Sequence, residues 1–176
     1  MVFMDHSNFY LALRSSLKGG DPTAQGNFDY SAFLSALVGG DELIRTYLAG
    51  SFKDTPDHVD PAKRFFHFVD GRPHIYVKVF ERREGGEKQV DVYLATQMVA
   101  LAYENAYDIA YLISGDEDFC PAIELVQQKG KIVVAASFKQ SLSHELTLKA
   151  DRIIKLDSGI RETNPMHWQN FIRSNS

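Results

Sequence analysis

Leu112-Ile113-Ser114-Gly115-Asp116-Glu117-Asp118-Phe119 runs from an apolar, strand-like segment directly into a glycine and three acids. Ile109 to Ile113 has the short branched and aromatic composition of a buried strand. Pro121 to Gln128 then reads as a helix ended by Gly130, and Lys131 to Ala136 as the next strand. Strand, acidic loop, helix and strand make a βαβ unit, which places its two strands parallel. Outward from it the alternation continues. Downstream come a helix over Ser143 to Ala150 and a last strand over Arg152 to Leu156. Upstream, Val92, Ala95, Val99 and Ala102 recur at helical spacing between Asp91 and Tyr103, which puts Asp91 at or near a helix N-terminus.

The first half is less regular. Residues 1–4 read as a short buried strand, and Asn8 to Leu17 as a helix with Phe9, Leu11, Leu13 and Leu17 on its apolar face, stopped by Lys18-Gly19-Gly20-Asp21-Pro22. Asp29 to Val38 is a second helix closed by Gly39-Gly40, and Leu43 to Phe52 is mostly strand. Pro61 to Val69 is a helix with proline at its first position, His74 to Phe80 a strand, and Glu84-Gly85-Gly86-Glu87 a turn. The whole predicts an α/β domain with a mainly parallel sheet and helices on both faces.

With 176 residues, 44% of them hydrophobic, the chain suits one well-buried domain. We assign the domain to 1–157 and treat 158–176 as a tail, partly helical around Met166 to Ile172, whose Trp168 and Phe171 pack on the domain. The single cysteine, Cys120, excludes an internal disulfide and has no CxxC partner, so it reads as a structural thiol. No basic and apolar leader opens the sequence, and no stretch approaches the ~20 apolar residues of a membrane span. A cytoplasmic protein without membrane contact is expected.

The net charge of −4 argues against a protein that binds nucleic acid by coating itself in Lys and Arg. Residues 89–120 carry six acids and no Lys or Arg. Residues 45–88 carry nine basic residues against seven acids, and 121–176 eight against five. An acidic centre with mildly basic flanks suits metal-assisted chemistry on a polyanion, although ordinary solvated surface accounts for any single Lys or Arg.

Two further acidic strand ends accompany the first: Val2-Phe3-Met4-Asp5-His6-Ser7-Asn8 and Gln89-Val90-Asp91-Val92. In a parallel sheet the loops leaving carboxyl ends meet in one crevice, so Asp5, Asp91, Asp116 and Asp118 are expected to converge. Crowded carboxylates resist ionising, and a hard cation such as Mg²⁺ relieves this while keeping positions open for phosphate oxygens. Gly115 allows a sharp turn off the strand; Asp116 and Asp118 face one crevice if the loop is extended, with Glu117 outward. Each residue also has a plainer role: Asp118 as the N-cap of the following helix, Asn8 as the N-cap of the first, Ser143 as the N-cap of the last. Asn8 can otherwise orient Asp5 or a phosphate. A HAD-type phosphotransferase would need a second Asp where Ser7 stands, and a MIDAS-type site a hydroxyl where Phe9 stands. His6 is a loop neighbour rather than a general base, since the six histidines lack zinc-ligand spacing.

Asp5-x-x-Asn8, Lys88-x-Val90-Asp91-Val92, Ser114-Gly115-Asp116-x-Asp118-Phe119, Gly130-Lys131 and Ala150-Asp151, in this order over residues 1–157, resemble the NYN domains of the LabA/DUF88 type, within the PIN-like nucleases. The resemblance implies a PIN-like, Rossmannoid three-layer α/β sandwich and an Mg²⁺- or Mn²⁺-dependent endoribonuclease. By position it makes Asp5, Asp91, Asp116 and Asp118 the metal-binding and catalytic acids, with Asn8, Ser114 and Ser137 lining the substrate. This chain departs from the pattern at Thr96-Gln97, where members often carry a further acid.

The resulting expectation is hydrolysis of RNA by water activated on a metal, with Asp5 and Asp116 the principal ligands and Asp91 and Asp118 completing the first or second shell. Phe52, Phe65, Phe66, Tyr76 and Tyr93 can stack bases where exposed, although most such aromatics belong to a core. The alternative is a non-catalytic module that binds RNA or a nucleotide for regulation and partners another protein or a second copy of itself. A small-molecule phosphatase is a third reading, for which no phosphate-binding loop is visible.

Overall fold

Strands and helices alternate along the chain: β1 (Val2–Asp5), α1 (His6–Ser16), α2 (Tyr30–Val38), β2 (Thr46–Phe52), α3 (Pro61–Asp70), β3 (Ile75–Glu81), α4 (Lys88–Tyr103), β4 (Ile109–Ile113), a 3₁₀ turn (Glu117–Phe119), α5 (Cys120–Gln128), β5 (Ile132–Ser137), α6 (His144–Lys149) and β6 (Arg152–Lys155). The computed structural model describes residues 1–16, 28–53, 60–82, 88–158 and 171. The strands form one sheet in the order β3-β2-β1-β4-β5-β6. Every neighbouring pair is parallel, so the mainly parallel sheet expected from the sequence is parallel throughout.

The order has one consequence for function. From β1 the chain builds outward through β2 and β3, then crosses back to place β4 on β1's other side. At the β1/β4 boundary the segments leaving the two strands diverge to opposite faces, and the gap between them is where ligands of such sheets bind. Met4 pairs with Ile113 across that boundary, so the next residues, Asp5 and Ser114, stand level at its mouth.

Side chains alternate between two separate apolar layers. Val2, Met4, Leu48, Tyr111, Ile113 and Ala136 join Phe9, Leu13, Phe33, Leu34, Phe66 and Val69 of α1, α2 and α3 on one face. Phe3, Tyr47, Ala49, Leu112 and Ala135 join Val90, Leu94, Met98, Ile123, Val126 and Leu146 of α4, α5 and α6 on the other. Each large side chain removed from water contributes about 1.5–3 kcal/mol, so both layers hold the sheet firmly. By the same alternation Asp5 lies on Phe3's side, facing α4.

Several boundaries differ from the sequence expectation. α1 begins at His6, directly on β1, and Leu11 is exposed while Phe9 and Leu13 are buried. β2 begins at Thr46, where pairing with Val2 and Ile75 starts. α4 begins at Lys88, so Asp91 lies inside its first turn. Its buried stripe is Val90, Leu94, Met98 and Ala102, whereas Val92 is 64% exposed. Nearly every side of α4 carries apolar residues, and the sheet beneath selects the stripe. Ser143 caps α6 as expected, its Oγ accepting from Leu146 N at 3.1 Å. Phe171 packs on Phe28 and Phe33, and its carbonyl accepts from Asp29 N at 2.7 Å. Trp168, most of the Met166 to Ile172 segment, Leu17 with the Lys18 to Pro22 stop and the Glu84 to Glu87 turn lie outside the described residues. Among the described residues, no helix is long and apolar enough to cross a membrane.

Candidate active site at the strand-order reversal

Asp5 closes β1 and is 6% exposed, as the parallel pairing with Ala49 on β2 and the α4 side of the sheet dictate. Its Oδ1 accepts the backbone N–H of Asn8 at 3.1 Å, which caps the first turn of α1. The side chain of Asn8 faces the other strand: its Oδ1 accepts Gly115 N–H at 3.2 Å. One residue thus ties the acid at the end of β1 to the loop leaving β4, across 107 positions of sequence. Asn8 is therefore not the N-cap considered from the sequence. The cap is Asp5, and Asn8 is a clasp.

Beyond Ile113 the loop is held just as closely. Ser114 is buried on the α4 face, and its Oγ accepts Asp116 N–H at 3.3 Å. Gly115 donates to Asn8 and accepts Ser143 N–H at 2.9 Å. A Cβ there would stand 1.8 Å from the Ser141 carbonyl oxygen and 2.8 Å from Ser137 Oγ. Glycine is required by lack of room rather than by the turn anticipated from the sequence. Ser137, at the end of β5, shares a hydrogen bond with Ser141 at 3.1 Å. Asp5, Asn8, Ser114, Asp116 and Ser137 are therefore gathered around one mouth.

Asp91 and Asp118 stand on neighbouring elements. Asp116 caps the 3₁₀ turn, its Oδ1 accepting Asp118 N–H at 3.0 Å, so it takes the capping role considered for Asp118. Asp118 and Glu117 are both exposed on the turn. Asp91 is half-buried in the first turn of α4, a helix that packs on β1, β2 and the 3₁₀ turn. Among the described residues, no three of His, Cys, Asp and Glu stand close enough to hold a metal ion between them. The neighbourhood's polar groups are carboxylate, amide and hydroxyl oxygens, a donor set that suits a hard cation needing one or two carboxylates and open positions. His6 offers no competing nitrogen: its ring stacks on Phe65 at 4.4 Å and its Nε2 is bonded to Tyr30 Oη at 3.2 Å.

One group near the mouth was not singled out by sequence reasoning. Ser51, buried near the end of β2, accepts from Arg82 Nη2 at 3.1 Å and Nε at 3.3 Å. Its β3-to-β2 reach could be found only from the strand register, in which Phe52 pairs with Glu81. Cys120 opens α5 beside the acidic turn; burial, reinforced by Glu145, Glu117 and Glu124, raises its thiol pKa against the lowering effect of Lys149. A raised pKa disfavours the thiolate, the reactive form.

A parallel sheet with a single reversal, an acid ending β1 and others in the loop after β4 is consistent with the nuclease-like fold of NYN and PIN-like domains. The chain belongs to the NYN domain family, whose model matches residues 1–157. No curated protein matches it significantly. Among solved structures it is similar to a Vibrio parahaemolyticus protein of unknown function, at 24% identity over 89% of this chain and 91% of that one, with a TM-score of 0.66. That likeness concerns the fold alone.

Proposed function

We propose that the protein is a ribonuclease of the LabA/DUF88 type that cuts RNA phosphodiester bonds internally with Mg²⁺ or Mn²⁺. The observation that carries this reading is the Asp5–Asn8–Gly115 clasp, which fixes two acid-bearing strand ends against each other at the reversal. Asp5 and Asp116 are the cation's carboxylates. The chemistry a bound divalent cation supplies is activation of water for attack on phosphorus and neutralisation of charge developing on the phosphoryl oxygens. Asn8 holds the two acids' supporting loops in register, and Ser114 and Ser137 offer hydroxyls to substrate oxygens. Asp91 and Asp118 complete the acidic surround, adjusting waters and ligand orientation rather than replacing the principal pair.

The test is cleavage of end-labelled RNA by purified protein with Mn²⁺, Mg²⁺ or chelator. Asp5→Asn and Asp116→Asn should each abolish cleavage, Asp118→Asn should reduce it less, and the double variant should fall little below the stronger single one. Wild-type rates in pure Asp116→Asn protein would refute the assignment. A second reading, a non-catalytic RNA- or nucleotide-binding regulator, is favoured by the absence of a three-acid group among the described residues and by Thr96-Gln97 in place of a further acid. Wild-type protein that binds RNA without cutting it under either metal would establish that reading instead.

A further inference from the structure

We propose that the α4 side of the edge strand β3 is a docking surface for a proline-rich segment of a partner protein, held by tyrosine hydroxyls and, at an acidic residue of the segment, by Lys78. This reading is independent of the nuclease chemistry. α4 lies over β1 and β2 more than over β3, so this side of the edge strand is thinly covered. Tyr76 is 49% exposed and Lys78 is exposed, whereas Ile75, on the α3 side, is buried. What lies there is aromatic. Tyr76 meets Tyr47 of β2 with ring centroids 5.7 Å apart and planes at 59°, and Phe80 meets Tyr93 of α4 at 5.8 Å and 63°. The hydroxyls of Tyr47, Tyr76 and Tyr93 make no hydrogen bond among the described residues. Nor are they sealed in, since among those residues Thr46 Oγ1 is the sole buried side-chain polar atom without a partner.

Phenol donors beside tilted rings match one peptide conformation. A proline-rich segment adopts the polyproline II form, which has no internal hydrogen bonds and leaves its carbonyl oxygens open as acceptors. Grooves lined by aromatic side chains receive such segments, with the phenol O–H as the polar handle. Burial, together with Tyr76 and Tyr47, pushes the Tyr93 phenol up to about 12, so it keeps the proton it would donate. Spacing agrees: Tyr76 and Phe80 stand about 13 Å apart along the strand, and four residues of polyproline II span about 12 Å. Between them the Lys78 ammonium lies 5.7 Å from the Phe80 ring centroid and pairs with no carboxylate among the described residues. The one acid of β3, Glu81, takes the opposite side by alternation, and Glu84 and Glu87 of the connection to α4 lie outside the described residues. Other occupants fit less well. A strand added along β3 meets Asp70, whose Oδ1 already accepts Val77 N–H at 3.4 Å. Nucleic acid needs several cations for its phosphates, and the described cations here are Lys78 and, past the strand's end, Arg82, whose guanidinium is bonded to Ser51.

The experiment is fluorescence anisotropy of the whole protein with labelled decaproline, with decaproline carrying two aspartates at one end, and with a glycine–serine peptide of the same length and charge as the latter. Both proline peptides should bind, the aspartate-bearing one more tightly, and the glycine–serine peptide should not. Tyr76→Ala should weaken both by more than about tenfold, and Tyr76→Phe and Tyr93→Phe, which keep the ring and remove a donor, by about 2- to 10-fold each. Lys78→Gln should abolish the advantage of the aspartates and leave decaproline binding unchanged. Urea unfolding of each variant separates a lost contact from a lost fold. Failure of both proline peptides to bind with a Kd below about 1 mM overturns the proposal, as does equal binding of the glycine–serine peptide. Binding that survives Tyr76→Ala puts the peptide elsewhere, and binding indifferent to both phenylalanine variants removes the hydroxyls from the argument; either result refutes the surface proposed. Oligouridine binding that depends on Tyr76, in protein that ignores the proline peptides, would assign this face to nucleic acid instead.

Discussion

Gly115→Ala probes the site's architecture without touching a carboxylate. The added Cβ would meet the Ser141 carbonyl oxygen at 1.8 Å and its carbon at 2.5 Å. Both are backbone atoms, so no rotamer change relieves the clash. The loop must lift, stretching the Asn8 Oδ1 bond to Gly115 N–H and the Ser143 N–H bond to Gly115 O. Overpacking alone costs about 1–3 kcal/mol. Each weakened hydrogen bond adds about 0.5–1.5 kcal/mol, and because lifting trades one cost against the other, a total of about 2–4 kcal/mol is expected. For a chain of this length that lowers Tm by about 4–16 °C. Urea or thermal unfolding measures it, with Gly40→Ala as the control, since nothing lies within 4 Å of a Cβ there. Metal-supported cleavage should fall further than stability does, because the clasp between the acid-bearing ends opens first. A Gly115→Ala protein within about 0.5 kcal/mol of wild type, a change typical of an unconstrained surface position, would refute the packing argument.

Phe171→Ala should cost about 3–5 kcal/mol in unfolding free energy, because the ring is buried against Phe28 and Phe33; a shift no larger than a surface change would show that residue 171 does not dock. Cys120 should react with iodoacetamide at pH 7 more slowly than a free thiol and accelerate only at alkaline pH, since burial and the surrounding glutamates raise its pKa; rapid labelling of native protein would contradict this. Burial holds Tyr93 and Tyr111 protonated to about pH 12, so absorbance at 295 nm should show both titrating late. Their folded pKa values exceed the unfolded value near 10, so the stability they contribute is intact below pH 10 and is lost as pH rises toward 12.

The alternation of strand and helix was legible because apolar runs such as Ile109 to Ile113 and turn residues such as Gly130 act locally. The strand order was not, since Met4 facing Ile113 is a contact between distant segments that no local pattern encodes. Asp5 and Asp116 could be picked out because acids at strand ends are unusual against their apolar surroundings. Which of the capping groups capped could not: Asp116 rather than Asp118 serves because a 3₁₀ turn intervenes, and Asp5 rather than Asn8 because α1 starts without a loop. The Val92 stripe was misread for a related reason. A helix apolar on most sides takes its orientation from its neighbours, and here Phe3 and Ala49 meet Val90 and Leu94.

The parity of β1 carries a consequence for how such a chain can change. The strand is four residues long with its acid the last, and each step along it swaps one side of the sheet for the other. Deleting one residue among Phe3 and Met4 would leave the composition of the strand nearly intact, yet turn Asp5 toward the α1 side of the sheet and bring His6 to the mouth in its place. Two removed together would restore the side but shorten the strand below its partner Ala49. Point substitutions within β1 are thus open to drift among apolar residues, while its length is not.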